Sequence, residues 1–177
     1  MKLLKYIGTG VAVVLGLALI IAVFVTKDFI YEKTITINAP VDSVWQNVNS
    51  LAAMDSWNPR SAKDLNIEQV YSGTTGEIGE SLEWNSVTKQ VGKGVQTIVK
   101  IEAPLLIETE LKFLTPYESE VTSYVQLQAT SAGTDATWGF KSTIPYPFNL
   151  MSLIMNAEEQ LGPDFQKGLD KLKNISE

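Results

Sequence analysis

The sequence predicts an α+β fold in which a curved antiparallel sheet is wrapped on a long C-terminal helix, with one transmembrane helix in front. Three observations carry this. The chain runs from Ile7 to Val25 through nineteen residues without a charge. Its middle repeatedly alternates apolar and polar residues with period two, the mark of half-buried strands. Its end returns to helical spacing.

At 1.5 Å per residue the leader is about 28 Å long as a helix, against a hydrocarbon core of ~30 Å, so it can cross a bilayer. A cleaved signal peptide would need a shorter apolar run followed by small residues at spaced positions. Ala22-Val23-Phe24-Val25-Thr26-Lys27 offers no such pair. An uncleaved anchor is therefore expected, with residues 1–27 as cytoplasmic tip and span and residues 28–177 as one soluble domain. Lys2, Lys5 and the terminal amine precede the span, whereas Lys27 is followed by Asp28 and Glu32. The positive-inside bias then keeps the N-terminus cytoplasmic and places the domain on the periplasmic or extracellular side. Gly8, Ala12 and Gly16 form a small-residue stripe through which two spans could pair as a weak homodimer.

In the domain, Phe29, Tyr31, Lys33, Ile35 and Ile37 share one parity and predict a strand that Asn38-Ala39-Pro40 ends. A short helix should follow, with Val41, Val44, Trp45, Val48 and Leu51 inward, because proline suits a first turn and Asp42 its positive end. Trp57-Asn58-Pro59 closes this region, since a residue before proline is pushed toward extended geometry. Period two returns in Ile67–Tyr71, in Leu82 and Trp84, and in Val95, Thr97, Val99 and Ile101 against Gln96 and Lys100. It continues in Leu105 to Phe113, Val121 to Ala129, and Ala136 to Phe140. Short connections between these stretches imply antiparallel neighbours. Leu150, Leu153, Ile154, Ala157 and Leu161, and then Phe165, Leu169, Leu172 and Ile175, keep helical spacing and supply the cover. Gly162-Pro163 predicts a kink or a restart inside it.

Composition narrows the chemistry. The formal charge is −6, and beyond the leader 11 basic residues face 20 acidic ones, a balance of −9. Such a surface repels phosphate backbones, so nucleic acid is not an expected partner. There is no cysteine and no histidine. Disulfides and thiol nucleophiles are excluded, and imidazole-dependent hydrolases and zinc enzymes lose their usual ligand and base. No metal and no cofactor is expected. Ser72-Gly73-Thr74-Thr75-Gly76 lacks the lysine and following helix of a phosphate loop.

Thr34-Ile35-Thr36-Ile37-Asn38-Ala39-Pro40-Val41-Asp42-Ser43-Val44-Trp45 and Met54-Asp55-Ser56-Trp57-Asn58-Pro59 resemble the opening strand and helices of the helix-grip, START-like or SRPBCC superfamily. Phe148-Asn149-Leu150-Met151 and Leu161-Gly162-Pro163-Asp164-Phe165-Gln166-Lys167-Gly168-Leu169 are similar to the terminal helix of its polyketide cyclase/dehydrase-like bacterial members. The resemblance covers roughly residues 30 to 175. It implies the helix-grip fold and a cavity between sheet and helix that takes lipids, sterols, quinones, polyketides or other apolar molecules. Some members are cyclases or aromatases, so the fold alone does not settle function.

The candidate ligand-binding residues are Trp57, Asn58, Arg60, Trp84, Trp138, Phe148, Met151 and Met155. Tryptophan and methionine suit an adaptable apolar pocket and equally an ordinary core. Arg60, the single arginine, could hold a carboxylate or carbonyl at the pocket mouth, or be a solvated loop cation. Lys33 has inward parity near a strand start and is expected to snorkel to the rim. Glu83, Glu108 and Glu110 have outward parity, Asp55 reads as a turn or helix-end residue, and no catalytic residue is assigned. The expected function is a membrane-anchored binding module for an apolar small molecule, lipid-, quinone- or polyketide-like, without chemistry. The alternatives are a cyclase- or aromatase-type enzyme and a membrane-tethered protein-interaction module.

Overall fold

A computed structural model describes residues 2–177, apart from the side chains of residues 2–5 and 9. The leader is a helix, α1, Lys2–Phe24. Its stretch Tyr6–Phe24 has a mean hydropathy of 2.7 and is long and apolar enough to cross a membrane, a test that a signal sequence would also pass. The side chains of Lys2 and Lys5, on which the expected orientation rests, lie outside what is described.

After α1 come β1 (Asp28–Ile37), three short helices α2 (Val41–Trp45), α3 (Leu51–Trp57) and α4 (Pro59–Lys63), and strands β2 (Glu68–Ser72) to β7. The remaining strands are β3 (Ser81–Asn85), β4 (Lys93–Glu102), β5 (Leu106–Thr115), β6 (Ser119–Thr130) and β7 (Gly133–Thr143). A 3-10 helix at Phe148–Leu153 precedes α5, Ala157–Ser176. The seven strands form one antiparallel sheet in the order β1-β7-β6-β5-β4-β3-β2. Strands β4 to β7 are joined by short turns, β2, β3 and β4 by the longer connections 73–80 and 86–92, and the first strand returns beside the last. With the long helix α5 this is the helix-grip fold.

Two compact units divide the chain. Residues 1–29 and 142–156 make the smaller, and residues 30–141 and 157–177 the larger. In the larger unit the alternation read from sequence is visible in burial. Tyr31 and Ile37 are buried on β1, Leu82 and Trp84 on β3, Ile107 and Thr109 on β5, Val125 and Leu127 on β6, and Ala136 and Trp138 on β7. Helices α2 and α3 bury Val44, Trp45, Leu51, Met54 and Trp57, and α5 buries Phe165, Leu169 and Leu172 at i, i+4 and i+7. Such a stripe is what a helix needs to lie on an apolar face.

Two expectations change and a third narrows. On β4 the buried residues are Gly94, Gln96 and Ile98, not Val95, Thr97 and Val99. The ladder to β5 shifts register between Ile98 and Lys100, and that irregularity brings Ile101 opposite the buried Ile107. A shift of one residue moves side chains to the opposite face, so one parity cannot serve the strand. The helical spacing from Leu150 to Leu161 does not make one helix: the 3-10 helix ends at Leu153 and α5 starts at Ala157, where Glu158 and Glu159 supply its acidic first turn. Pro163, in contrast, lies inside a helix that runs on to Ser176 without a restart.

Candidate functional site

The site grows from the corner Trp57-Asn58-Pro59-Arg60. Asn58 is extended (φ −64°, ψ 128°), as a residue before proline should be, and its side-chain oxygen accepts a hydrogen bond from the Arg60 backbone N–H at 2.9 Å. Asparagine as cap with proline at the first helical position starts α4. The corner thereby holds the Arg60 side chain over β3 and β4. Its guanidinium carbon stands 4.3 Å from the Trp84 ring centroid. Nη2 donates to Asp55 Oδ1 at 3.3 Å and Nη1 to Gln96 Oε1 at 3.5 Å.

Arg60 is therefore no solvated cation: its side chain is 12% exposed and that of Asp55 13%. Burial pushes the guanidinium below its ordinary value, and the Asp55 charge and hydrogen bond oppose that shift. Asp55 also accepts from Ser61 Oγ at 2.7 Å and from Gln69 Nε2 at 3.0 Å. Gln96 in turn donates to Thr109 at 3.1 Å. One polar atom in this network, Arg60 Nε, is buried without a partner.

Beside the network lies a cavity of about 310 Å³ in the larger unit. Its sheet wall is made by Leu111 and Phe113 of β5, Val121 and Ser123 of β6, and Trp138 and Phe140 of β7. Leu161, Asp164 and Phe165 of α5 face them, with Asn58, Pro59, Arg60 and Lys63 of α4 and its cap, and Gln90 and Val91 of the β3–β4 connection. Trp138 and Phe165 stack at 4.2 Å with 22° between rings, and Trp57 meets Trp138 edge-on at 5.0 Å. The Trp138 indole donates to Ser123 Oγ at 3.3 Å, so the ring has a fixed orientation. Gly168 lets α5 approach: a Cβ there would lie 2.7 Å from the Trp138 ring and 3.2 Å from Pro59. Lys63 and Asp164 form an ion pair that links α4 to α5 among the lining residues.

Of the residues singled out from sequence, Asn58, Arg60 and Trp138 line this cavity. Trp57 is buried behind Trp138, and Trp84 is buried beneath Arg60 with its indole donating to Val91 O at 3.3 Å. Phe148 and Met151 lie on the 3-10 helix and Met155 just after it, in the smaller unit and outside the cavity lining. The reason is the break in helical structure before Ala157, so that these residues do not belong to α5. Lys33 is not among the lining residues; it pairs with Glu158 of α5 at 2.7 Å, and Tyr31 donates to the same carboxylate at 2.6 Å.

Sequence reasoning missed Gln96, Asp55, Leu111, Phe113 and Phe140 as parts of the site. Leu111 and Phe113 had the correct parity, so the signal was present. Gln96 carried none, because its burial depends on the β4 irregularity. In chemical terms the cavity offers a broad apolar surface, one guanidinium, and carboxylates already engaged by Arg60, Ser61, Gln69 and Lys63. Among the described residues no three carboxylates converge as a metal cage would require.

The sequence profile of the family described as polyketide cyclase / dehydrase and lipid transport matches residues 28–177. The chain belongs to that family. Solved structures share the fold of this family member at low identity. A protein from Nitrosospira multiformis is 16% identical with a TM-score of 0.59, over 84% of this chain and 97% of its own. Norcoclaurine synthase of Thalictrum, solved with a transition-state analogue, is 8% identical with a TM-score of 0.61, over 84% and 94%. The di-domain ARO/CYC protein StfQ of the steffimycin biosynthetic pathway is 11% identical with a TM-score of 0.60 over 84% of this chain, which spans half of the StfQ chain. Among curated proteins none matches the sequence.

Proposed function

We propose that this family member is a membrane-anchored binding module that holds an apolar small molecule, lipid-, quinone- or polyketide-like, in the cavity between β5–β7 and α5, without changing it. The observation that supports the reading most directly is the cavity wall itself. Leu111, Phe113, Val121, Trp138, Phe140 and Phe165 give it apolar surface, and its volume falls within the ~300–1,000 Å³ typical of small-molecule pockets. Proton transfer needs a group free to give or take a proton. Here histidine and cysteine are absent, and Asp55 is engaged by three donor residues. The apolar leader supports the anchor, with the N-terminus cytoplasmic and the domain on the opposite side of the membrane.

The second reading is a cyclase-type enzyme, favoured by the unpartnered Arg60 Nε, which could draw charge onto a substrate carbonyl. The test is native mass spectrometry of the detergent-extracted protein, followed by thermal melts with the ligand identified. A ligand at 100 times its dissociation constant should add about 2.7 kcal/mol. Recovery of the same molecule unaltered after incubation supports the binding module. A changed mass identifies the enzyme, and no ligand together with no thermal shift across lipids and quinones removes both readings.

A further inference from the structure

The smaller unit contains a second apolar feature that the cavity does not use. From Ser142 to Ala157 the chain carries no charge, with Lys141 and Glu158 at its borders. Within it Phe148, Met151, Leu153 and Ile154 are exposed, at 62%, 54%, 63% and 86%. This segment is tied to the C-terminal end of α1 by directional bonds. The Tyr146 hydroxyl donates to Leu19 O at 3.4 Å, and the Asn149 carboxamide donates to Ala22 O at 2.7 Å and Val25 O at 2.8 Å. Asn149 is fully buried in doing so.

A helix end leaves carbonyls without intrahelical partners, and in water solvent would satisfy them. The buried asparagine takes one of them, Ala22 O, together with the Val25 carbonyl just past the helix end, which is the arrangement needed where water is scarce, because an unsatisfied backbone group in hydrocarbon costs several kcal/mol. The bonds also fix depth. From Leu19 to Phe24 the helix rises roughly 7–8 Å, so Tyr146 stands about that far inside the end of the span. That matches the ~5–10 Å to which interfacial segments bury their apolar side chains, and tyrosine favours this level.

We propose that residues 142–156 are an interfacial foot, with Phe148, Met151, Leu153 and Ile154 inserted into the lipid leaflet from which α1 emerges. The occupant of this apolar surface is the bilayer, since the surface continues the apolar side of a span to which it is hydrogen-bonded and carries no charge that would keep it in water. The inference rests on the anchoring reading of α1.

The chain has no cysteine, so single cysteines can carry a nitroxide without background. The full chain is placed in phosphatidylcholine and phosphatidylglycerol vesicles with a label at Leu153→Cys or Ile154→Cys, both exposed enough to leave packing intact. Val14→Cys serves as the span reference and Val87→Cys, 96% exposed between β3 and β4, as the second reference. The oxygen-to-nickel-chelate accessibility ratio at 153 and 154 should lie above that at 87 and approach that at 14. Lipid exposure at 14 with aqueous values at 153 and 154 overturns the foot and leaves the anchor. Aqueous values at 14 as well overturn the anchor and the foot together. Spin–spin broadening at 154 that disappears on dilution with unlabelled chain would show a second copy on this surface and overturn the lipid assignment.

Discussion

Asp55 and Arg60 show how much a single pair can hide from a sequence. Both are nearly buried, and each replaces water with groups far along the chain: Gln69, Trp84 and Gln96. Removing one partner of a buried pair typically costs about 3–5 kcal/mol, because the other is left uncompensated. Asp55→Asn should therefore destabilise strongly, whereas Arg60→Met leaves Asp55 with the Ser61 and Gln69 donors and should do less harm. The double variant should lose less than the sum of the singles in urea unfolding, and strict additivity would show that the two side chains do not interact. The sequence reading gave Asp55 as a turn residue and Arg60 as a loop cation or a pocket-mouth anchor, since local pattern carries no information on partners fourteen or more positions away. Lys33 carried a partial signal: its parity near a strand start fits a half-buried side chain, but nothing in the local pattern pointed to Glu158 as its partner.

At the scale of elements, the terminal helix is held at its start by charge and along its length by fit. Glu158 in its first turn accepts from Lys33 and from Tyr31, and these two bonds, Lys33 foremost, hold its carboxyl below the usual glutamate value. Loss of solvent, followed by the bond to Glu158, pushes Tyr31 up to about 12. A carboxyl depressed in the folded state contributes stability that is present above its unfolded value, 4.5, and is lost as pH falls through the folded one. Glu158→Gln should lower the melting temperature at pH 7, with the difference from the parent shrinking as pH falls below ~4.5 in matched melts. An equal deficit at pH 7 and pH 3 would assign the effect to something other than the charge. Further along, a side chain at position 168 would strike the Trp138 ring, on which Phe165 stacks and which Trp57 meets edge-on. Gly168→Val should cost about 1–3 kcal/mol by overpacking and should weaken ligand binding, because it moves α5 off the cavity wall. An unchanged melting curve would mean that the helix has room to spare there.

What the sequence shows at this scale follows from the reach of each pattern. Strands with a dry and a wet face repeat every two residues, so β1, β3, β5, β6 and β7 were legible with their inner faces. The β4 irregularity is a tertiary accommodation of one strand to its neighbour and leaves no period. Likewise Leu150 to Leu161 satisfies helical spacing by composition, but the backbone turns out of helix at Ile154 and the segment bonds to α1, a partner more than a hundred residues earlier.

For the whole molecule the question is which parts depend on which. The sheet, α2 to α5 and the cavity draw their buried side chains from residues 30–141 and 157–177, a unit with its own core. Residues 142–156 instead bond to the leader: Ile144 N–H to Lys27 O, Tyr146 to Leu19 O, and Asn149 to Ala22 O and Val25 O. Removing residues 1–27 takes away every one of these acceptors and strands the Asn149 carboxamide without them. Stability in a protein is local, and amides open according to the contacts of their own segment. The piece 28–177 should therefore unfold in one cooperative transition and keep slow amide exchange in β5 to β7 and α5. In the same piece residues 142–156 should exchange much faster than in the full chain, measured by hydrogen–deuterium exchange with mass spectrometry. Ligand binding should survive the truncation, because no cavity-lining residue comes from the leader or from 142–156. Loss of protection spreading into β6 and β7 would show that the larger unit needs the leader to fold, and unchanged exchange in 142–156 would show that its bonds to α1 contribute nothing to its order.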